Sequence, residues 1–128
     1  MGTRILVVDD SSTMRRIISK SLIELSIDPE DITHAVDGLD ALEKLKLANS
    51  FDLILTDWNM PEMNGLELVN KLRKIPESAR TPIVMITTEG NKKDVIEALK
   101  SGVNNYILKP FTSETLKVKL LPVLSGLK

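Results

Sequence analysis

Four short apolar runs in this 128-residue chain each end on polar residues that could do chemistry. Arg4–Val8 runs into Asp9-Asp10, Leu53–Thr56 into Asp57, Ile83–Thr87 ends on Thr87 with Thr88 beyond it, and Tyr106–Leu108 runs into Lys109-Pro110. If these runs are parallel strands of one sheet, three carboxylates, one or two hydroxyls and one ammonium converge on a single edge. Three clustered carboxylates repel one another, and one lysine does not neutralise them. A hard divalent cation does, and Mg2+ prefers one or two carboxylates, a carbonyl and several waters in an octahedral shell. Such a site beside a lysine and hydroxyl donors is equipped to grip a phosphoryl group, whose oxygens carry the charge during transfer. Neither GxGxxG nor GxxxxGKS/T occurs, so no glycine-rich loop cradles the phosphates of a nucleotide. The remaining option is that a carboxylate accepts the phosphoryl group as an aspartyl-phosphate.

Each of these residues taken singly has a plainer reading. An aspartate at a strand end forms turns or caps helices, and Asp9-Asp10-Ser11-Ser12 has the composition of an N-cap. Thr87 alone reads as a turn hydroxyl, Lys109 as a solvated charge, Gly65 as a turn glycine, and Trp58 and Met60 as packing residues. What separates the two readings is recurrence: polar chemistry follows four different apolar runs.

The elements that must position these groups follow from periodicity. The four runs are rich in Val, Ile and Leu without alternation, as in strands covered on both faces, and a weaker strand fits Ile32–Val36. Met14, Ile17, Ile18, Leu22 and Leu25 form a helical stripe. Gly38–Ala48, Gly65–Lys74 and Asn91–Lys100 carry further helical patterns, the last closed by Gly102. Leu116, Leu120, Leu121 and Leu124 mark a final helix, which Pro122 should kink or stop. Strand and helix thus alternate five times, the pattern of an α/β doubly wound parallel sheet whose ligands bind at the carboxyl ends of the strands. No linker, repeat or low-complexity tract divides the chain, so residues 1–128 read as one domain.

Composition removes other classes. There is no cysteine, so thiol catalysis, Cys-based zinc sites and disulfides are excluded. His34 is the only histidine and reads as a solvated or half-buried strand residue rather than a metal or triad member. Met1-Gly2-Thr3-Arg4 leads directly into the first apolar run and does not resemble a signal peptide. No run approaches the roughly 20 apolar residues of a membrane helix, and the expected location is cytoplasmic. Four aromatics, Phe51, Trp58, Tyr106 and Phe111, are too few for a nucleic-acid stacking platform. The formal net charge of −1 conceals a division. From Gly90 onward seven lysines face three acids (net +4), whereas the first 89 residues carry 10 basic and 15 acidic groups (net −5).

Leu6-Val7-Val8-Asp9-Asp10, Thr56-Asp57-Trp58-Asn59-Met60-Pro61, Asn64-Gly65, Thr87 and Lys109-Pro110-Phe111 together resemble the receiver domain of two-component response regulators. The match covers essentially the whole chain, in order. Ser12-Thr13-Met14-Arg15-Arg16-Ile17, the stretch from Asp57 to Val69, and Tyr106 resemble the single-domain chemotaxis members of that family. The resemblance implies a flavodoxin-like (βα)5 fold with strand order 2-1-3-4-5. It implies Asp57 as phosphoacceptor from a histidine kinase of CheA type. Asp10, Asp57 and the backbone carbonyl of Asn59 would ligate Mg2+, with Asp9 acting through a metal-bound water. Lys109 would pair with the phosphoryl oxygens, and the Lys109–Pro110 bond would be cis. Thr87 would hydrogen-bond the modified Asp57, and Tyr106 would turn inward as Thr87 moves. It further implies a signalling module that catalyses only its own phosphorylation and dephosphorylation. The expected protein is a monomer serving a flagellar motor switch protein of FliM type, with a phosphatase as a further partner.

The basic last third suits the docking face. Lys92, Lys93, Lys100, Lys117 and Lys119, beside Tyr106, would steer an acidic partner segment. The alternative is that acids simply gather around Mg2+ and the remainder compensates. Thr88 stands where receivers usually carry Ala or Gly, and Ser26–Asp31 replaces a short glycine-containing turn. Two further functions stay open. One is a phosphate sink or relay intermediate without motor binding. The other is an aspartyl-phosphate hydrolase, against which stands Asn59, where such enzymes place a second aspartate.

Overall fold

In a computed structural model, residues 2–127 are described; Met1 and Lys128, the ends of the domain expected over 1–128, lie outside them. Five strands, β1 (Ile5–Val8), β2 (Ile32–Ala35), β3 (Leu53–Thr56), β4 (Ile83–Thr87) and β5 (Asn105–Leu108), alternate with five helices. The helices are α1 (Ser12–Glu24), α2 (Gly38–Ala48), α3 (Gly65–Leu72), α4 (Lys92–Ser101) and α5 (Ser113–Ser125). All strand pairs are parallel and the order is β2-β1-β3-β4-β5, the flavodoxin-like arrangement. Strand order reverses around β1, which lies between β2 and β3.

The missing alternation in the strands is explained by two apolar layers. Leu6, Val8, Ile54, Ile83 and Met85 pack with Ala41 and Leu45 of α2, Leu68, Val69 and Leu72 of α3, and Ala98 of α4. Their neighbours one residue along, Ile5, Val7, Leu53, Leu55, Val84 and Ile86, point to the other face. There they meet Ile18 and Leu22 of α1 and Leu116, Leu120 and Leu124 of α5. Each fully buried aliphatic side chain contributes about 1.5–3 kcal/mol, so the two layers rather than helix propensity hold the elements in place.

The helix ends follow local chemistry. Ser11, not either aspartate, caps α1 by accepting from Met14 N at 3.1 Å, which leaves both carboxylates for other work. Asn64 and Glu67 close a capping box on α3. Gly102 ends α4 in the left-handed region at φ 113°, a conformation glycine adopts without strain. Ser26–Asp31 contains a 3₁₀ turn at Pro29–Asp31, capped by Asp28. His34 is exposed on β2, its Nε2 3.0 Å from Ser19 Oγ.

Pro122 does not stop the last helix, which continues to Ser125. Pro122 and Val118, whose carbonyl loses its donor, both lie on the exposed face of α5, which is open to water.

Arg73, at the end of α3, knits the far side of the sheet. It donates to the carbonyls of Thr81 (2.7 Å), Ser78 (3.0 Å) and Gly102 (2.7 Å) and to Asn104 Oδ1 (2.9 Å). Asn104 Oδ1 in turn accepts from Ile83 N at the start of β4. Replacing Arg73 by Ala strands these carbonyls and should cost about 2–4 kcal/mol in urea unfolding. Lys, a point charge without the planar fork, should recover only a minor part.

Candidate functional site

The sheet itself extends under the polar residues at its carboxyl edge. Asp9 N donates to Ala35 O (3.1 Å), Asp57 N to Val8 O (3.0 Å) and Lys109 N to Thr87 O (2.8 Å). Each of these residues is one step past its strand yet still tied to the neighbouring one, so the backbone fixes where its side chain starts. Beyond Asp57 the loop turns back sharply, and Gly65 N donates to Trp58 O at 2.7 Å. A Cβ on residue 65 would lie 2.1 Å from Asp57 O, which only glycine avoids.

The carboxylates of Asp9, Asp10 and Asp57 offer oxygens within 4.8 Å of one another. Asp9 and Asp57 are buried and Asp10 is exposed. Lys109 Nζ lies 2.9 Å from Asp9 Oδ2 and 3.2 Å from Asp57 Oδ2. The remaining oxygens of the buried pair accept from backbone: Asp9 Oδ1 from Ser11 N (2.9 Å) and Asp57 Oδ1 from Trp58 N (2.7 Å). Burial alone would lower the Lys109 pKa. The hydrogen bond to Asp9 and the charges of Asp57 and Asp9 outweigh it and hold the ammonium above its ordinary value. In their charged forms three acids and one lysine leave two negative charges, the amount a divalent cation cancels. The donor set is all oxygen, which suits a hard cation.

Two loops flank this cluster. Thr87 is fully buried at the end of β4, and its Oγ1 accepts from Glu89 N at 3.3 Å. Thr88 is exposed beside it. Tyr106 on β5 is half-buried, and its hydroxyl donates to the Glu89 carbonyl. Asn59, two residues past Asp57, sends its side-chain amide to Glu89 Oε1 at 2.8 Å. Glu89 therefore joins the β3–α3 loop, β4 and β5 through three different atoms. The sequence reading passed over it; a carboxylate two residues after the buried threonine was its only signal. The Lys109–Pro110 bond is cis.

The lysines of the basic third separate into two groups. Lys92, Lys93, Lys100 and Lys119 are exposed. Lys117 is half-buried and pairs with Glu24 of α1 (3.1 Å) and Glu114 (3.6 Å). It ties α5 to α1 rather than standing free for a partner. Among the described residues, no helix is long and apolar enough to cross a membrane.

Sequence comparison places this fold and site in a family. Residues 5–121 match the response regulator receiver domain, and the chain belongs to that family. It is 56% identical over 121 residues to the chemotaxis protein CheY1 of Helicobacter pylori, covering 94% of this chain and 96% of that protein. Among solved structures it resembles chemotaxis protein CheY4 of Vibrio cholerae, with a TM-score of 0.84, 34% identity and full coverage of both chains. It also resembles the receiver domain of a Pseudomonas aeruginosa sensor histidine kinase, with a TM-score of 0.82, 26% identity and coverage of 98% and 99%. That domain was solved with magnesium coordinated in its active-site cleft. The chemotaxis relatives and the receiver domain together support a chemotaxis response regulator, a signalling module rather than an enzyme acting on a separate substrate.

The Tyr106 phenol is pushed up to about 12 from 10.0, by burial first and then by the charges of Asp94, Glu89 and Asp57. It therefore stays a neutral donor to Glu89 throughout the neutral range. Because the folded pKa exceeds the unfolded one, this contribution is complete below pH 10 and is lost as pH rises toward 12. Tyr106 is the only tyrosine, so ultraviolet titration reads it directly. The folded midpoint should fall near 12 and the denatured one near 10; equal midpoints would contradict the buried, acid-flanked placement.

Proposed function

We propose that residues 1–128 act as a single receiver domain that accepts a phosphoryl group on Asp57 from a phosphohistidine of a CheA-type kinase. The observation that carries this reading is the meeting of Asp57 with Asp9, Asp10 and Lys109 at the strand ends. Asp10, Asp57 and the Asn59 carbonyl hold Mg2+ in this reading, with Asp9 acting through a water. The magnesium of the similar P. aeruginosa domain supports the choice of ion. When bound, Mg2+ supplies positive charge opposite the phosphoryl oxygens.

The chain's own groups do the rest. An Asp57 carboxylate oxygen attacks phosphorus in line, forming the P–O bond as the P–N bond breaks and the imidazole takes the electron pair. Lys109, already 3.2 Å from Asp57, stabilises the charge passing to the phosphoryl oxygens. Thr87 gives up its contact with Glu89 N to donate to a phosphoryl oxygen, and Tyr106 moves inward into the space this opens. The same site later positions water to hydrolyse the acyl phosphate, with a phosphatase as a further partner. These contacts exist only with Asp57 modified, so they shift the balance between two conformations.

The output in this reading is the surface of α4, β5 and α5, offered by a cytoplasmic monomer to a flagellar motor switch protein of FliM type. Lys92, Lys93, Lys100 and Lys119 supply the positive field that steers an acidic segment of that partner.

Trp58, bonded through its backbone to Asp57, reports on the site. Its fluorescence should change on adding Mg2+ and again on adding a small phosphodonor such as acetyl phosphate. In Asp57→Asn the second step should vanish; phosphorylation persisting at an unchanged rate would overturn the assignment.

Phosphorylated protein should also bind a peptide from a motor switch protein, more weakly as salt rises and after charge reversal at Lys92 and Lys93. Phosphorylation without peptide binding would leave the site reading intact and remove the motor output. Binding indifferent to salt and to the lysines would remove the steering role.

A further inference from the structure

Of the three carboxylates at the strand ends, two are held by their own hydrogen bonds and one is not. Asp9 is held by Ser11 N and Lys109, and Asp57 by Trp58 N and Lys109. The exposed Asp10 carboxylate accepts no hydrogen bond among the described residues. The backbone alone fixes where its side chain starts, and first the peptide that joins it to Asp9. The carbonyl of that peptide accepts from Arg15 NH1 of α1 at 2.5 Å, a short charge-assisted bond.

The rest of the Arg15 side chain shows how firmly it is placed. Its Nε is buried and has no hydrogen-bond partner among the described residues. Its charge also reaches β2, where partial burial of the ring, then Arg15, then Lys44 hold the largely exposed His34 imidazole below its ordinary pKa. The guanidinium thus reaches from α1 to the end of β1, with one N–H spent on the 9–10 peptide. Of the site's ligand candidates, Asp10 is the one this bond governs.

We propose that Arg15 is a positioning residue for the metal site, orienting the Asp10 carboxylate by pinning the carbonyl of the Asp9–Asp10 peptide. This rests on the reading of Asp10 as a metal ligand. Partners that orient a ligand in this way commonly change metal affinity by about 10–100-fold when removed. The opposite expectation also has a physical basis. A cation beside a divalent ion repels it, so if charge rather than orientation governs, removing Arg15 tightens binding. The two effects differ in sign.

The test is Mg2+ titration of the full chain, read by Trp58 fluorescence, in wild type, Arg15→Met, Arg15→Lys and Asp10→Asn. It is joined by the 15N–1H amide resonances of Asp10 and Ser11 in metal-free protein. Arg15→Met should weaken Mg2+ binding about tenfold and move the Asp10 amide before any metal is added. Arg15→Lys, with an N–H within reach of the carbonyl, should return both to near wild type. Should the Met variant fail to fold, Arg15→Gln, too short to span the gap, takes its place. Unchanged or tighter binding in the Met or Gln variant, with Asp10→Asn still weak, overturns the role of Arg15 and leaves the site reading standing. Weaker binding with the Asp10 amide unmoved also overturns it, because the loss then comes from general loosening. Wild-type binding in Asp10→Asn removes the metal reading and this proposal with it.

Discussion

Lys109 Nζ touches Asp9 at 2.9 Å and Asp57 at 3.2 Å, and the carboxyl edge of the sheet is organised around those two contacts. Carboxylate oxygens within 4.8 Å of one another are a costly arrangement. At an effective dielectric near 20, like charges at that range repel by about 3 kcal/mol per pair. Water relieves the exposed Asp10, but Asp9 and Asp57 are buried and depend on the ammonium and on backbone N–H groups. The residual negative charge makes the site selective by chemistry. It favours a doubly charged hard cation. Parallel strands make the arrangement attainable, because they bring distant residues to one edge on backbone that the ladder has already made rigid.

Around this rigid cluster the loops are joined by side chains, not by sheet. Glu89 receives the Asn59 amide on its carboxylate, gives its backbone N–H to Thr87 and accepts from Tyr106 on its carbonyl. Each is a single hydrogen bond, worth about 0.5–1.5 kcal/mol net, and each can be exchanged for another partner at little cost. A stiff carboxylate cluster bounded by a loop that can be re-bonded is the physical arrangement a two-state signal needs. In the proposed switch the cluster localises the chemical event and the loop converts it into a change of surface.

Much of this was legible in the sequence because sheet chemistry leaves a local trace. An apolar run that ends in Asp, Thr or Lys marks both a strand and the side chain at its end. The helix at Gly38–Ala48 and the strands at Leu53–Thr56 and Ile83–Thr87 match the periodicity to the residue. What escaped the sequence are bonds from side chains to distant backbone. Arg15 to the Asp9 carbonyl, Arg73 to five acceptors and Glu89 to three elements obey no period. Lys117 escaped for a related reason: its partner Glu24 lies 93 residues away on another helix. Pro122 misled because propensity describes a helix interior, whereas its face of α5 is open to water. Ser11 resolved the overlap between a cap and a site by taking the cap alone.

The ammonium that steadies the buried carboxylates follows β5, the last strand and an edge of the sheet, 100 residues beyond Asp9. Completion of the sheet and completion of the site are therefore one event. Without β5, the buried Asp9 and Asp57 lack the ammonium that lies 2.9 Å and 3.2 Å from them. β5 supplies that counter-ion and extends the ladder beside β4 at once. The placement of one lysine thus ties the electrostatics of the site to the strand at the edge of the sheet.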